Sequence, residues 1–169
     1  MRRIPERVTN FSIFSDGKGK AGIGEEITLP KIVAATEEFH GAGMAAPIDL
    51  LMGSLEKMDS AFTIKGIDND TMKLLNIVEG ADVPLTMRGA INGEAGAIKA
   101  MVVNMRGVLK EVDMGTVKIG ESSSKFSMNV RYFKLTIDGE VIYDIDVVSN
   151  TVIINGVDQT AEMRRALGQ

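Results

Sequence analysis

Phe126-Ser127-Met128-Asn129-Val130-Arg131-Tyr132-Phe133-Lys134-Leu135-Thr136-Ile137, then Asp138-Gly139, then Val141-Ile142-Tyr143-Asp144-Ile145, is the stretch that decides the fold class. Phe126, Met128, Val130 and Tyr132 alternate with Ser127, Asn129 and Arg131, the signature of a strand with one buried face. At Tyr132-Phe133 the phase flips, and Phe133, Leu135 and Ile137 carry the apolar series on the other side. A flip inside one run predicts a bulge, or a strand that passes from one sheet to another. Asp138-Gly139 is a hairpin connector, because Gly supplies the positive φ and Asp tolerates it. Asp16-Gly17, Asn92-Gly93 and Asn155-Gly156 repeat that signal along the chain. Between these turns, residues 8–14, 23–29, 32–39, 55–65, 85–91, 98–112 and 151–154 read as strands. Two helices are expected. One spans 70–79, with Leu74, Ile77 and Val78 on one stripe and Gly80 as its stop; the other starts at Asp158 as N-cap and ends at Gly168. Glu162 ahead of Arg164 and Arg165 suits the helix dipole. The expectation is a mainly β chain, a β-sandwich or barrel with one or two short helices, forming a single domain over residues 1–169.

Composition removes much chemistry. The 169 residues carry a net charge of -4, which argues against a surface built to grip nucleic acid. With no Cys there is no disulfide, thiolate metal site or Cys nucleophile, and His40 alone makes no multi-histidine metal site. No apolar run exceeds four residues, so no membrane segment is expected. Arg2, Arg3 and Arg7 are followed by polar Thr9 and Asn10 rather than an apolar stretch, so no secretory signal is expected and the chain reads as cytoplasmic in origin. Gly17-Lys18-Gly19-Lys20-Ala21-Gly22 has the letters of a dinucleotide fingerprint but runs into a β-like, acidic segment instead of a helix, so it reads as a hairpin turn. His40 lies in the small-residue stretch Gly41-Ala42-Gly43-Met44-Ala45-Ala46-Pro47 with no nucleophile motif beside it. Glu25-Glu26 and Glu37-Glu38 point to opposite faces of their strands and do not act as carboxylate pairs. No catalytic residue, cofactor or metal is expected. Eleven Met residues mostly read as core filling, with Met44 and Met52 as the interface candidates.

Over nearly its full length the chain resembles the major tail tube proteins of contractile-tailed bacteriophages (the FII type) and of the related R-type pyocins. The resemblance is carried by Ile27-Thr28-Leu29-Pro30-Lys31, Thr36-Glu37-Glu38-Phe39, Gly41 to Pro47 with Leu51-Met52-Gly53, and Arg106-Gly107-Val108-Leu109-Lys110-Glu111-Val112-Asp113. It is most specific at Tyr132-Phe133-Lys134-Leu135-Thr136-Ile137-Asp138-Gly139, Tyr143-Asp144-Ile145-Asp146 and Ile154-Asn155-Gly156-Val157-Asp158-Gln159.

The resemblance implies a β-sandwich or barrel subunit of the tail-tube type. Its copies form hexameric rings stacked into a hollow tube, with neighbouring sheets joined into an inner barrel. The implied partners are further copies of itself, the tail sheath protein, and the baseplate and tail terminator proteins. In a phage, DNA passes through the lumen without specific binding. The implied location is the virion tail or a phage-like bacteriocin (tailocin) particle, assembled in the host cytoplasm. It also implies an extended loop or hairpin around 39–58, a short C-terminal helix around 158–167, and inter-subunit contacts through Met44, Pro47, Leu51 and Met52. The alternatives are a small-ligand-binding β-barrel with a closed pocket, and the tube subunit of a bacterial secretion or injection system.

Overall fold

A computed structural model describes residues 5–15, 17–19, 23–93 and 96–169. The large antiparallel sheet runs in the order β12 (Val157–Asp158), β11 (Thr151–Ile154), β10 (Glu140–Asp146), β9 (Ser123–Ile137), β8 (Ile98–Asp113), β7 (Val83–Asn92), β1 (Arg7–Ser15) and β2 (Lys18–Gly19). A branch leaves it at β9, where β6 (Met58–Lys65) pairs and carries β3 (Gly24–Thr28) on its far side. The strands β4 (Ala34–Phe39) and β5 (Ile48–Leu55) form a sheet of their own. Of the dinucleotide-like letters, Lys18–Gly19 form the short strand opposite Phe14–Ser15, as a hairpin requires; Lys20, Ala21 and Gly22 lie outside the described residues.

The strand β9 is shared. One of its edges follows β8 along its length. The other pairs first with β6, from Ser123↔Lys65 to Val130↔Met58, and then with β10, from Tyr132↔Asp146 to Ile137↔Glu140. Arg131 falls at the changeover: Val130 opposes Gly107 and Tyr132 opposes Arg106, so one residue of β9 has no counterpart. This is the flip read from the sequence, and it takes the first of the two expected forms, a bulge; β9 does not pass to another sheet, since β6 and β10 pair in turn with one of its edges within the large sheet. Val130 and Phe133 are both buried across it.

The approach is close enough to dictate the residue opposite. A Cβ added at Gly107 would run into the carbonyl group of Asn129 and press on Val130 Cα. Only Gly lets the two backbones meet there. A second bulge leaves Lys110 unmatched between Leu109↔Met128 and Glu111↔Ser127, and the Lys110 ammonium lies 2.8 Å from Asp59.

The inward residues form one cluster. Ile13, Met58, Phe62, Ile64, Leu85, Met87, Val103, Met105, Leu109, Phe126, Met128, Phe133 and Ile145 are all buried. Phe62 and Phe126 face each other across β6 and β9 with ring centroids 5.1 Å apart, an offset stack that adds about 0.5–1.5 kcal/mol to their burial. Met58, Met87, Met105 and Met128 fill the core, and Met72 and Met101 pack against it, so methionine serves mainly as filling here.

The helices are shorter than their sequence patterns suggest. α1 spans Asn69–Leu74, capped by Asp68, whose carboxylate accepts from the Thr71 N–H and hydroxyl. It does not continue to residue 79. The Asn76 side chain accepts from the Ile77 N–H at 2.8 Å, a local bond that competes with helix propagation. Ile77 and Val78 are exposed rather than on a buried stripe. α2 spans Ala161–Ala166 and starts after Thr160; Asp158 does not cap it but pairs with Arg164.

The bulge makes a sharp prediction. Gly107→Ala should lower stability by about 1–3 kcal/mol or more, because backbone rather than side chain obstructs the new methyl. Gly89→Ala on β7 should cost clearly less, since its methyl would meet the Met87 and Val8 side chains at 3.4 and 3.5 Å. Urea unfolding of both variants checks this; equal losses would refute it.

Candidate assembly surface

The hairpin β4–β5 stands apart from the core except at its root, where half-buried Leu55 packs against the cluster. Every residue of β4 is exposed except half-buried Ala35, and β5 is exposed from Ile48 to Ser54. Residues directly opposite across the ladder share a face. Phe39 opposes Ile48 and Glu37 opposes Leu50, so Phe39, Ile48 and Leu50 make one largely apolar face. Thr36 opposes Leu51 and Glu38 opposes Asp49, so the reverse face is mostly polar and acidic. Between Lys31 and Lys57 the chain holds no Lys or Arg, while Glu37, Glu38, Asp49 and Glu56 fall in that interval. An exposed apolar ladder on an anionic arm is the kind of patch that marks interaction sites.

Two edges of the body are also unpaired. Among the described residues, β1 pairs on its outer side only at Phe14 and Ser15, leaving Arg7 to Ile13 without a neighbour there, and β3 pairs only with β6. The sheet does not close on itself within one chain. A surface depression of about 650 Å³ is walled by Glu25, Lys65, Lys118, Glu121, Ser122 and Ser123, a charged and polar lining unlike the closed apolar pocket of a ligand-binding barrel.

Residues 5–168 match the family described as Phage tail tube protein FII. The chain belongs to this family. It is 32% identical over 170 residues to the tail tube protein of Escherichia phage P2, covering 98% of each chain. It is 29% identical over 149 residues to the major tail tube protein of Serratia phage KSP20, covering 86% of this chain and 85% of the relative. Among solved structures, it shares its fold with a chain of the PVC sheath-tube complex of an extracellular contractile injection system, at a TM-score of 0.55 and 10% identity over 78% of this chain and 91% of that one. A chain of the PVC sheath/tube terminator matches at the same TM-score, over 80% and 98%. The protein is a structural subunit of a phage-type tail tube.

In this tail tube subunit the four expected contact residues sit on the arm but not as one surface. Met44 is half-buried in the loop joining the two strands, where its sulfur accepts from the Gly41 N–H at 3.1 Å. Pro47 is exposed at the loop's end. Leu51, 74% exposed, lies on the acidic face, away from Leu50. Met52 begins an irregular stretch at the arm's base. The apolar face is instead made by Phe39, Ile48 and Leu50, and the sequence carried a signal for two of these: Ile48 and Leu50 alternate with Asp49 directly after Pro47.

Behind the arm, the C-terminal helix of the tube subunit is tied down by polar bonds. The Arg164 guanidinium donates to the Asn150 carbonyl at 2.9 Å and to Thr160 Oγ1 at 2.8 Å, and it pairs with both oxygens of Asp158. Thr160 Oγ1 donates to the Asn150 carbonyl and accepts from the Val152 N–H. On the outer face of the body, Asp82 pairs with both Arg106 and Arg131, and Asp144 with Lys134. The hydrogen bond from Lys110 holds the Asp59 carboxyl below its usual value, while burial, then Asp144, pushes the Tyr132 phenol up.

Chiefly because of Arg164, and then the Thr160 N–H, the Asp158 carboxyl falls from an ordinary 3.8 to about 2. A depressed acid stabilises the fold fully above its unfolded value and loses that contribution as pH falls through the folded one. Melting of the protein and of Asp158→Asn should therefore differ by a constant amount above pH 5. The difference should shrink between 3.8 and about 2. A gap that stays constant down to pH 2 would contradict the ion-pair assignment.

Proposed function

We propose that this subunit forms hexameric rings that stack into the rigid inner tube of a contractile tail, and that the β4–β5 arm carries the contact between neighbouring subunits. The observation behind this reading is the arm itself. It is a two-stranded ladder with an exposed Phe39–Ile48–Leu50 face that touches the core only through Leu55 at its root. The unpaired edges of β1 and β3 suit the joining of sheets from adjacent copies, which removes open edges around a ring. The role is mechanical, with no catalysis: the tube is surrounded by the sheath protein, bounded by baseplate and terminator proteins, and driven through the target envelope when the sheath shortens. It is assembled in the host cytoplasm and works in the virion tail or in a headless particle of the same kind.

Where the particle carries DNA, the tube is its conduit. Two features favour passage over capture. The chain's net charge is -4, and Arg106, Arg131, Lys134 and Lys110 are each engaged by a carboxylate. Cations already paired release fewer counterions to a passing phosphate backbone, so the polymer slides. The 32% identity to the tail tube protein of phage P2 along the full chain favours a phage-type tail over a secretion-system tube.

Asp substitutions on the two faces of the arm test the reading. Ile48→Asp or Leu50→Asp should raise the concentration needed for tubes by at least tenfold, about 1.4 kcal/mol. Leu51→Asp, on the already acidic face, should have a smaller effect. All three should melt like the parent, because none lies in the core. Negative-stain electron microscopy over a concentration series reads the outcome. Normal tubes from both Ile48→Asp and Leu50→Asp would remove the arm from the assembly contact.

A further inference from the structure

The C-terminal helix poses a question that its polar network does not answer. α2 has six residues, none of them buried. A helix this short does not hold together alone in water. Four polar contacts from Arg164 keep it in place, yet it adds nothing fully buried to the core. What it delivers is Met163.

Met163 is carried from α2 to the base of the arm, where its terminal methyl lies against Gly53: a Cβ built on Gly53 would stand only 2.8 Å from Met163 Cε. The ladder is broken at that spot. Ala34 opposes Leu55 and Thr36 opposes Leu51, so Met52, Gly53 and Ser54 all face the single residue Ala35. Gly53 adopts φ +71°, a conformation that residues with side chains avoid. Below the break the two strands are still joined to each other, the Glu56 N–H donating to the Val33 carbonyl at 2.8 Å, and Leu55 packs against the body. Above it, the strands from Leu51 onward depend for their direction on what fills the irregular stretch. A two-stranded ribbon interrupted at its root is a hinge unless something packs into it.

We propose that Met163 is a positioning residue that props the root of the β4–β5 arm at Gly53 and so fixes the direction in which the arm leaves the body. The network around Arg164 holds the prop in place. An arm held in one direction meets its neighbour without first losing orientational freedom, which is how preorganisation raises affinity. For its effect on assembly the proposal rests on the tube reading above; for the arm's rigidity it does not.

The test is Met163→Ala in the full chain, with Met163→Leu as the volume-conserving control. Amide hydrogen exchange over residues 34–55 of the soluble subunit should speed up about tenfold in Met163→Ala, while the thermal midpoint of the body stays unchanged. Met163→Leu should restore slow exchange, which a purely structural loss elsewhere would not produce. Tubes should need a higher subunit concentration in Met163→Ala and the parental concentration in Met163→Leu. Unchanged arm exchange in Met163→Ala would overturn the proposal. Faster arm exchange with tubes at the parental concentration would uphold the prop and remove the arm from assembly. Should Met163→Ala fail to fold, Asp158→Asn loosens the same helix and should speed exchange over residues 34–55 beyond the general rise that its lower overall stability brings. Global unfolding of both variants would overturn the proposal, because α2 would then serve the body's stability and not the arm.

Discussion

The close backbone approach of Gly107 to Asn129, beside the extra residue Arg131, is the constraint on which the rest of the architecture depends. It lets a single strand change partners along one edge, from β6 to β10. Below the bulge β9 packs Phe126 and Met128 towards β6; above it Phe133 and the strand β10 take over, with Tyr143 tilted against Phe133 at a centroid distance of 6.4 Å. Without the unmatched residue, the inward series would emerge on the wrong face from Phe133 onward, since a one-residue slip inverts every side chain. The bulge thus joins the β6 branch to the main sheet around one apolar interior.

Much of this was legible because strand periodicity is a local signal. The flip at Tyr132-Phe133, the Asp138-Gly139 turn and the strands of the main sheet all follow from alternation and turn chemistry. What was not legible depended on contacts from elsewhere in the chain. The first helix looked longer because Ile77 and Val78 sit at helical spacing; the Asn76 side chain ends it locally, and the core has no place for those two residues. Asp158 looked like an N-cap because it has the right chemistry, but Arg164 claims its carboxylate. On the arm, loop-like surroundings pointed to Met44 and Met52 as interface candidates, and the resemblance added Pro47 and Leu51. Which strand residues share a face depends on the register Phe39↔Ile48, and register is not written in one strand alone.

Body and arm divide the work. The body holds the buried cluster and the aromatic stack, and the arm touches that cluster only through Leu55 at its root. The outer part of the arm holds exposed apolar surface, the surface that the proposed assembly would cover. On that proposal stability and assembly are carried by largely separate residues, and substitutions in one set leave the other largely intact.

The absence of Lys and Arg between Lys31 and Lys57 has a kinetic meaning as well. Two free arms approaching each other bring Glu37, Glu38 and Asp49 together with no cation of their own to soften the encounter. An exposed apolar ladder would otherwise be a seed for indiscriminate sticking, and this like-charge barrier acts as its gatekeeper. The repulsion is screened beyond about 8 Å at physiological ionic strength, so it discourages arm-to-arm collision without hindering an arm that lands on a surface of a different charge. On the proposed reading this barrier favours growth from an existing end over arm-to-arm starts in free solution.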